Sequence, residues 1–151
     1  MIVTKAQITS FFEPKKLAIA GVSSNEKKFG HSIFKELLEK DFEVLPINPK
    51  YEEIKGVKCY KSVKDLPTGI DSLLIVTPKE QTDEILREAI TRGIKNIWVQ
   101  QMSETEQTIK IAEEYQKEII FNKCAFMFAE PVAGFHKFHR TIMKVFGKLP
   151  K

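Results

Sequence analysis

The sequence of 151 residues predicts a small α/β fold, a doubly wound parallel sheet with helices on both faces. Two observations carry that prediction. Short apolar runs alternate with segments whose apolar residues recur at helical spacing. The connections between them are short, and parallel neighbours require a crossover that is right-handed in nearly all cases. Composition agrees: 42% hydrophobic, 29% charged and only seven Gly and seven Pro is the make-up of one globular domain, without repeats or low-complexity tracts.

The elements follow in order. Leu17–Ala20 is a continuous apolar run that ends in Gly21 and suits a strand buried on both faces. After a polar loop over residues 22–27, Phe29, Ile33, Phe34, Leu37 and Leu38 recur at helical spacing, with Lys35, Glu36, Glu39 and Lys40 on the opposite face. Val44–Ile47 is the second strand, and Pro46 places it at an edge, because proline donates nothing to a ladder. Residues 48–69 are less regular and hold one short candidate strand, Val57–Tyr60. The pattern resumes with a strand over residues 72–76, stopped by Thr77 and Pro78, and a helix from Glu80 to Arg92 with Gly93 as its C-terminal stop. Ile97–Val99 is a further strand. Ser103 with Glu106 three residues on predicts a capping box for a helix that continues over Ile109–Tyr115, and Ile119–Phe121 is the last strand.

Several function classes are excluded at this level. No segment approaches the roughly eighteen apolar residues of a membrane span. Met1–Phe12 lacks a basic start, a long apolar stretch and a small-residue cleavage site, so no secretory leader is read and a cytoplasmic location is expected. Two cysteines, Cys59 and Cys124, make no disulfide framework. The formal charge is +4. Lys137, Arg140, Lys144, Lys148 and Lys151 stand against Glu130 alone in residues 130–151, so the body up to residue 129 is neutral and the tail carries the whole excess.

In open α/β sheets ligands bind beyond the carboxyl ends of the strands, where strand order reverses. The loops there begin Gly21-Val22-Ser23-Ser24-Asn25, Asn48-Pro49-Lys50, Thr77-Pro78-Lys79 and Gln100-Gln101-Met102. Gly21 permits a sharp turn, Ser23 and Ser24 bring hydroxyls and N–H groups to a helix N-terminus, and Lys28 adds charge, which together favour phosphate. Neither GxGxxG nor the P-loop pattern is present, so a plain strand-to-helix turn is the competing reading. Dinucleotide sites for NAD carry an acidic residue about 20 positions after the glycine motif. Here Asn48 and Lys50 stand instead, which fits a phosphorylated ribose, as in coenzyme A or NADP.

The ordered pieces Gly21-Val22-Ser23, Lys28-Phe29-Gly30, Pro46-Ile47-Asn48-Pro49-Lys50, residues 54–60, Val76-Thr77-Pro78 and Trp98-Val99-Gln100 resemble the CoA-binding domain family. That family is similar to the N-terminal domain of the succinyl-CoA synthetase alpha subunit and to the matching domain of ADP-forming acyl-CoA synthetases. The resemblance runs from about Lys15 to Cys124 and implies a Rossmann-like domain holding coenzyme A or an acyl-CoA. It implies that Gly21, Ser23 and Ser24 cradle phosphates, that Lys28 and Lys50 offset their charge, and that Val76, Thr77 and Pro78 shape the adenine side. Gly30, Asn48, Pro49 and Gln100, from the same motifs, complete the candidate contacts. Val22 and Ser24 depart from the family pattern, and Gln101 and Met102 stand where many relatives carry glycine.

Catalysis is not expected. The synthetases ligate through a phosphorylated histidine and partner domains, for which this chain has no room. His31 reads as a solvent-facing residue of the first helix, with a phosphate contact as the alternative, and Cys124 as an inert thiol. His136 and His139 share a spacing but lack a third ligand, so no metal is expected. The body, residues 1–125, is thus expected to be a stand-alone, non-catalytic CoA-binding module, against the alternative of an NADP-binding oxidoreductase domain. Residues 126–151 predict a basic amphipathic extension with Phe135, Phe138, Ile142, Val145 and Phe146 on one stripe, packing on the same domain. Nucleic-acid or membrane-surface binding and a homodimer contact are the other readings of that tail.

Overall fold

The computed structural model describes residues 1–129. Seven strands, β1 (Lys16–Ala20), β2 (Glu43–Ile47), β3 (Glu53–Ile54), β4 (Val57–Lys58), β5 (Ser72–Ile75), β6 (Asn96–Gln100) and β7 (Ile120–Lys123), are joined by α1 (Lys5–Phe12), α2 (Phe29–Glu39), α3 (Lys79–Arg92) and α4 (Glu106–Glu114). Five strands form one parallel sheet in the order β2-β1-β5-β6-β7, and β3 and β4 make a small antiparallel ribbon beside it.

Alternation along the strands sends successive side chains to opposite faces. Leu17, Ile19, Leu74 and Trp98 meet Phe11 and Phe12 of α1 and Ile33, Phe34 and Leu37 of α2 on one face. Ala18, Ala20, Leu73, Ile75, Ile97 and Val99 meet Leu86 and Ala89 of α3 and Ile111 and Ala112 of α4 on the other. Both faces being dry, each fully buried Leu, Ile or Phe contributes about 1.5–3 kcal/mol relative to exposure.

Pro46 sits on the edge strand as its chemistry demands. Its carbonyl accepts the Tyr60 N–H at 2.9 Å on the outer side, away from the β1 ladder, where its own missing donor costs nothing. Tyr60 thereby forms a single parallel bridge to Ile47. The candidate strand Val57–Tyr60 is thus two things, a two-residue ribbon strand and a bridge that covers the sheet edge.

Two features differ from the sequence reading. The chain opens with α1, whose Thr4 and Gln7 form a capping box and whose Ile8, Phe11 and Phe12 are buried. The capping box of α4 is formed by Thr105 and Thr108, not by Ser103 and Glu106. Ser103 is instead buried in the turn after β6, its N–H donating to the Gln100 carbonyl at 2.8 Å, and Thr105 is the first hydroxyl placed to receive the Gln107 and Thr108 N–H groups.

Ala125, Phe126, Met127, Phe128 and Ala129 pack with the α1–α2 side of the core, and the Phe128 ring lies 5.9 Å from Trp98. The tail expected to be helical, from residue 130 onward, lies outside the described residues. Among the described residues no helix is long and apolar enough to cross a membrane, and no cluster of three metal-ligating side chains is found.

Candidate functional site

Strand order reverses between β1 and β5, because the chain leaves β1 toward β2 on one side and returns to β5 on the other. The carboxyl ends of these strands open a cleft of about 670 Å³. Its lining joins Gly21, Ser23, Lys28, Phe29 and Gly30 from the first loop and helix, Asn48–Tyr51 and Lys61–Val63 from the second side, and Val76, Thr77 and Pro78 from the end of β5.

Two glycines bring the backbones together. Gly21 has φ +98°, which L side chains rarely adopt, and a Cβ there would come within 3.0 Å of the Thr77 N and the Val76 carbonyl carbon. A Cβ on Gly30 would overlap the Gly21 carbonyl oxygen, so α2 starts in direct contact with the end of β1. Thr77 is buried, and its hydroxyl lies 3.1 Å from that of Thr82, which ties the turn after β5 to α3.

Asn48 locks the first two loops. Its Nδ2 donates to the Val22 carbonyl at 2.9 Å, and its Oδ1 accepts the Lys50 N–H at 3.0 Å. Both faces of the amide are used by backbone, so Asn48 shapes the rim. Ser23 is held similarly: its Oγ accepts the Asn25 N–H at 3.0 Å, and its carbonyl is 2.8 Å from Nδ1 of His31. A carbonyl only accepts, so Nδ1 carries the proton. His31 is therefore not solvent-facing as its position had suggested. The side chain is 4% exposed and its Nε2 has no partner among the described residues.

Helix ends supply the electrostatics. α1 and α4, whose N-caps lie outside this cleft, both carry capping boxes. α2, starting after Lys28, and α3, starting after Pro78, have no side-chain cap, and both of those N-cap residues line the cleft. Two sets of first-turn N–H groups and two positive dipole ends thus face one space. Lys28 and Lys50 add charge and make no ion pair among the described residues, whereas Lys61 pairs with Glu52 at 2.9 Å and donates to the Pro49 carbonyl at 3.3 Å. The opposite wall is acidic and apolar, with Glu84, Ile85 and Glu88 of α3. Such a site favours an anion at the loops and the helix starts and disfavours one beside Glu84 and Glu88, further along α3.

The structure brings Gly21, Ser23, Lys28, Gly30, Asn48, Pro49, Lys50, Val76, Thr77 and Pro78 to one cleft. Ser24, next in the chain to Ser23, is exposed and does not line the cleft. Gln100 lies apart from the lining: it is buried, and its side-chain oxygen accepts the Ala125 N–H at 3.1 Å. Tyr51 and Lys61, which sequence reading left out, enter through the irregular segment that the edge bridge folds back. The adjacency of Tyr51 to Lys50 was the available signal.

Comparison with known proteins agrees with this fold. A family model described as CoA binding domain matches residues 15–129. The alpha subunit of acetate–CoA ligase [ADP-forming] II from Pyrococcus furiosus is 34% identical over 125 residues, covering 76% of this chain and 27% of that protein. Acetate–CoA ligase [ADP-forming] from Methanocaldococcus jannaschii is 40% identical over 119 residues, 74% of this chain and 17% of the ligase. The chain thus spans little more than a quarter of the one and about a sixth of the other. A protein from Pyrococcus horikoshii OT3, described as hypothetical, superposes with a TM-score of 0.77 at 33% identity and covers 87% of this chain and 94% of its own. The dinucleotide-forming acetyl-coenzyme A synthetase 1 of Ca. Korarchaeum cryptofilum, in complex with phosphate and ADP, does so with a TM-score of 0.65 at 28% identity, covering 74% of this chain and 26% of its own. Sheet order, motif order and a family match that spans the body agree, and the chain belongs to the CoA-binding domain family.

Proposed function

We propose that this chain binds coenzyme A, free or acylated, in the cleft between β1 and β5 and acts as a stand-alone binding module with no reaction of its own. One observation carries the reading: the two helices that open on the cleft lack side-chain caps, while the two that do not are capped by their own threonines. A ligand phosphate supplies what those helix ends lack. In this reading Gly21, Ser23, Ser24 and Gly30 form the diphosphate loop and Lys28 neutralises it. Asn48, Pro49 and Lys50 meet the ribose phosphate, and Val76, Thr77 and Pro78 flank the adenine. Gln100 is left with a framework role.

Two further facts favour binding over turnover. Burial pushes the Cys59 thiol above its ordinary range, so it is not a ready nucleophile. A relative of the same extent, the Pyrococcus horikoshii protein, supports a module of this size.

Thermal unfolding with CoA, acetyl-CoA, NADP, NAD and ATP tests the proposal. A ligand at 100 times its dissociation constant adds about 2.7 kcal/mol of stability. The expected result is a rise in midpoint with CoA or acetyl-CoA that survives deletion of residues 130–151. A rise with NADP and none with either CoA compound overturns it.

A further inference from the structure

The wall of the cleft opposite the phosphate loops is a single face of α3. Gln81, Glu84, Ile85 and Glu88 recur at helical spacing, and all of them line the cleft. The chemistry of this wall changes along the helix axis. α3 starts after Pro78 with uncapped N–H groups, which suit a phosphate. Glu84 lies about 7.5 Å further along the axis than Lys79, at a rise of about 1.5 Å per residue, and offers a carboxylate that repels phosphate and accepts hydrogen bonds. Ile85 is half-buried on the core beneath α3 and lines the cleft together with Val63, so an apolar surface lies beside that carboxylate. Glu88 pairs with Lys64 at 3.9 Å, whereas the Glu84 side chain has no hydrogen bond or ion pair among the described residues.

We infer that Glu84 selects the base of the bound nucleotide: an adenine lies against Ile85 and donates a hydrogen bond from its exocyclic amine to the Glu84 carboxylate. The inference rests on the CoA reading of this cleft and adds to it the residue that recognises the base. The ligand is matched in order along the wall, with phosphate at the helix start, a flat apolar face at Ile85 and a donor edge at Glu84. The same carboxylate turns a phosphate away from this end, so the ligand binds in one direction. A base whose amine is blocked strips water from the carboxylate and returns no hydrogen bond to it, which weakens binding. Glu84 is exposed, so its acceptor can be removed without disturbing the core.

Calorimetric titration of the full chain with CoA and with etheno-CoA tests it. The etheno bridge ties the adenine amine back to the ring and removes both of its hydrogens, while the phosphates and the pantetheine arm stay in place. ADP and etheno-ADP form the parallel pair. CoA should bind about tenfold tighter than etheno-CoA, the worth of one hydrogen bond to a charged acceptor. Glu84→Met keeps the length of the side chain and removes the acceptor, so there the ratio should fall to near one through loss on CoA. Glu84→Gln keeps an acceptor and should restore part of it. Equal binding of CoA and etheno-CoA by the natural chain, or a ratio that survives in Glu84→Met, overturns the inference and leaves the CoA reading standing. A preference for ADP over etheno-ADP that is lost in Glu84→Met, with no binding of CoA to either protein, upholds Glu84 as the base reader and overturns the CoA reading. Failure of the natural chain to bind any of these compounds overturns both.

Discussion

The carbonyl oxygen of Gly21 packs against the α-carbon of Gly30, in the space where any other residue at position 30 would place its first side-chain carbon. Strand end and helix start are therefore one unit. Gly30→Ala should cost about 1–3 kcal/mol, the range for forcing a methyl into a filled site, and should weaken CoA binding with it. Gly56 is the control: it has φ +74° but open space around it, so Gly56→Ala should lose about 1 kcal/mol from backbone strain alone and leave binding unchanged. Urea unfolding of the two variants reads the contrast, and equal losses would dismiss the packing argument.

Asn48 serves two loops with one amide. Asn48→Ala leaves the Val22 carbonyl and the Lys50 N–H to find water, so a stability loss of about 1–2 kcal/mol is expected. Asn48→Asp keeps the acceptor for Lys50 but sets a carboxylate against a carbonyl oxygen. It should lower CoA affinity more than Asn48→Ala does, because it also adds negative charge beside the phosphate loop. Calorimetry on both variants decides it, and the reverse order would count against the proposed placement of the phosphates.

Met102 turns the chain after β6 at φ +74° with its side chain 79% exposed. The left-handed conformation costs a side-chain-bearing residue about 1 kcal/mol, and this side chain recovers little by packing. Met102→Gly should stabilise the fold by about 0.5–1 kcal/mol, net of the greater freedom of glycine in the unfolded chain. A drop in the denaturation midpoint would show that the methionine makes a contact worth more than its strain.

Cys59 is buried, its Sγ 3.6 Å from the Asn48 carbonyl, and burial raises its pKa. The folded protein therefore holds the thiol proton at a pH where the unfolded chain, near its ordinary value of about 8.5, has released it. Stability from this group is complete below that value and falls as pH rises above it. The stability advantage of the natural protein over Cys59→Ala should shrink between pH 7 and pH 10. A gap of constant size in paired urea titrations would remove the thiol from the account.

Much of this was legible in the residues because local rules and the fold agreed. Runs such as Leu17–Ala20 admit only a strand buried on both faces, and Pro46 is tolerated only where its nitrogen faces outward from the sheet. Gly21 and Gly30 flagged a close turn without showing that they touch each other. α1 had a readable signal in Thr4 and Gln7, yet its aromatic pair, Phe11 and Phe12, takes its meaning from Trp98, with ring centroids 5.3 and 5.6 Å away and 86 or more residues later in the chain. Ser103 with Glu106 read as the cap by spacing alone, and Thr105 takes that place because the turn after β6 buries Ser103. Tyr51 and Lys61 reach the cleft through the bridge between Tyr60 and Ile47, a pairing across a dozen residues that no local pattern announces.

The uneven capping of the four helices makes part of this molecule's firmness a property of the solution around it. α1 and α4 finish themselves with threonine, while α2 and α3 have no side-chain cap and leave first-turn N–H groups to the solvent. Sulfate or phosphate in a buffer should slow amide hydrogen exchange at Phe29, Gly30 and His31 and at Lys79 and Glu80, and leave Lys5 and Glu106 as they were. Choice of buffer anion is then an experimental variable, and an unfolding midpoint for this protein has meaning only alongside the salt in which it was read.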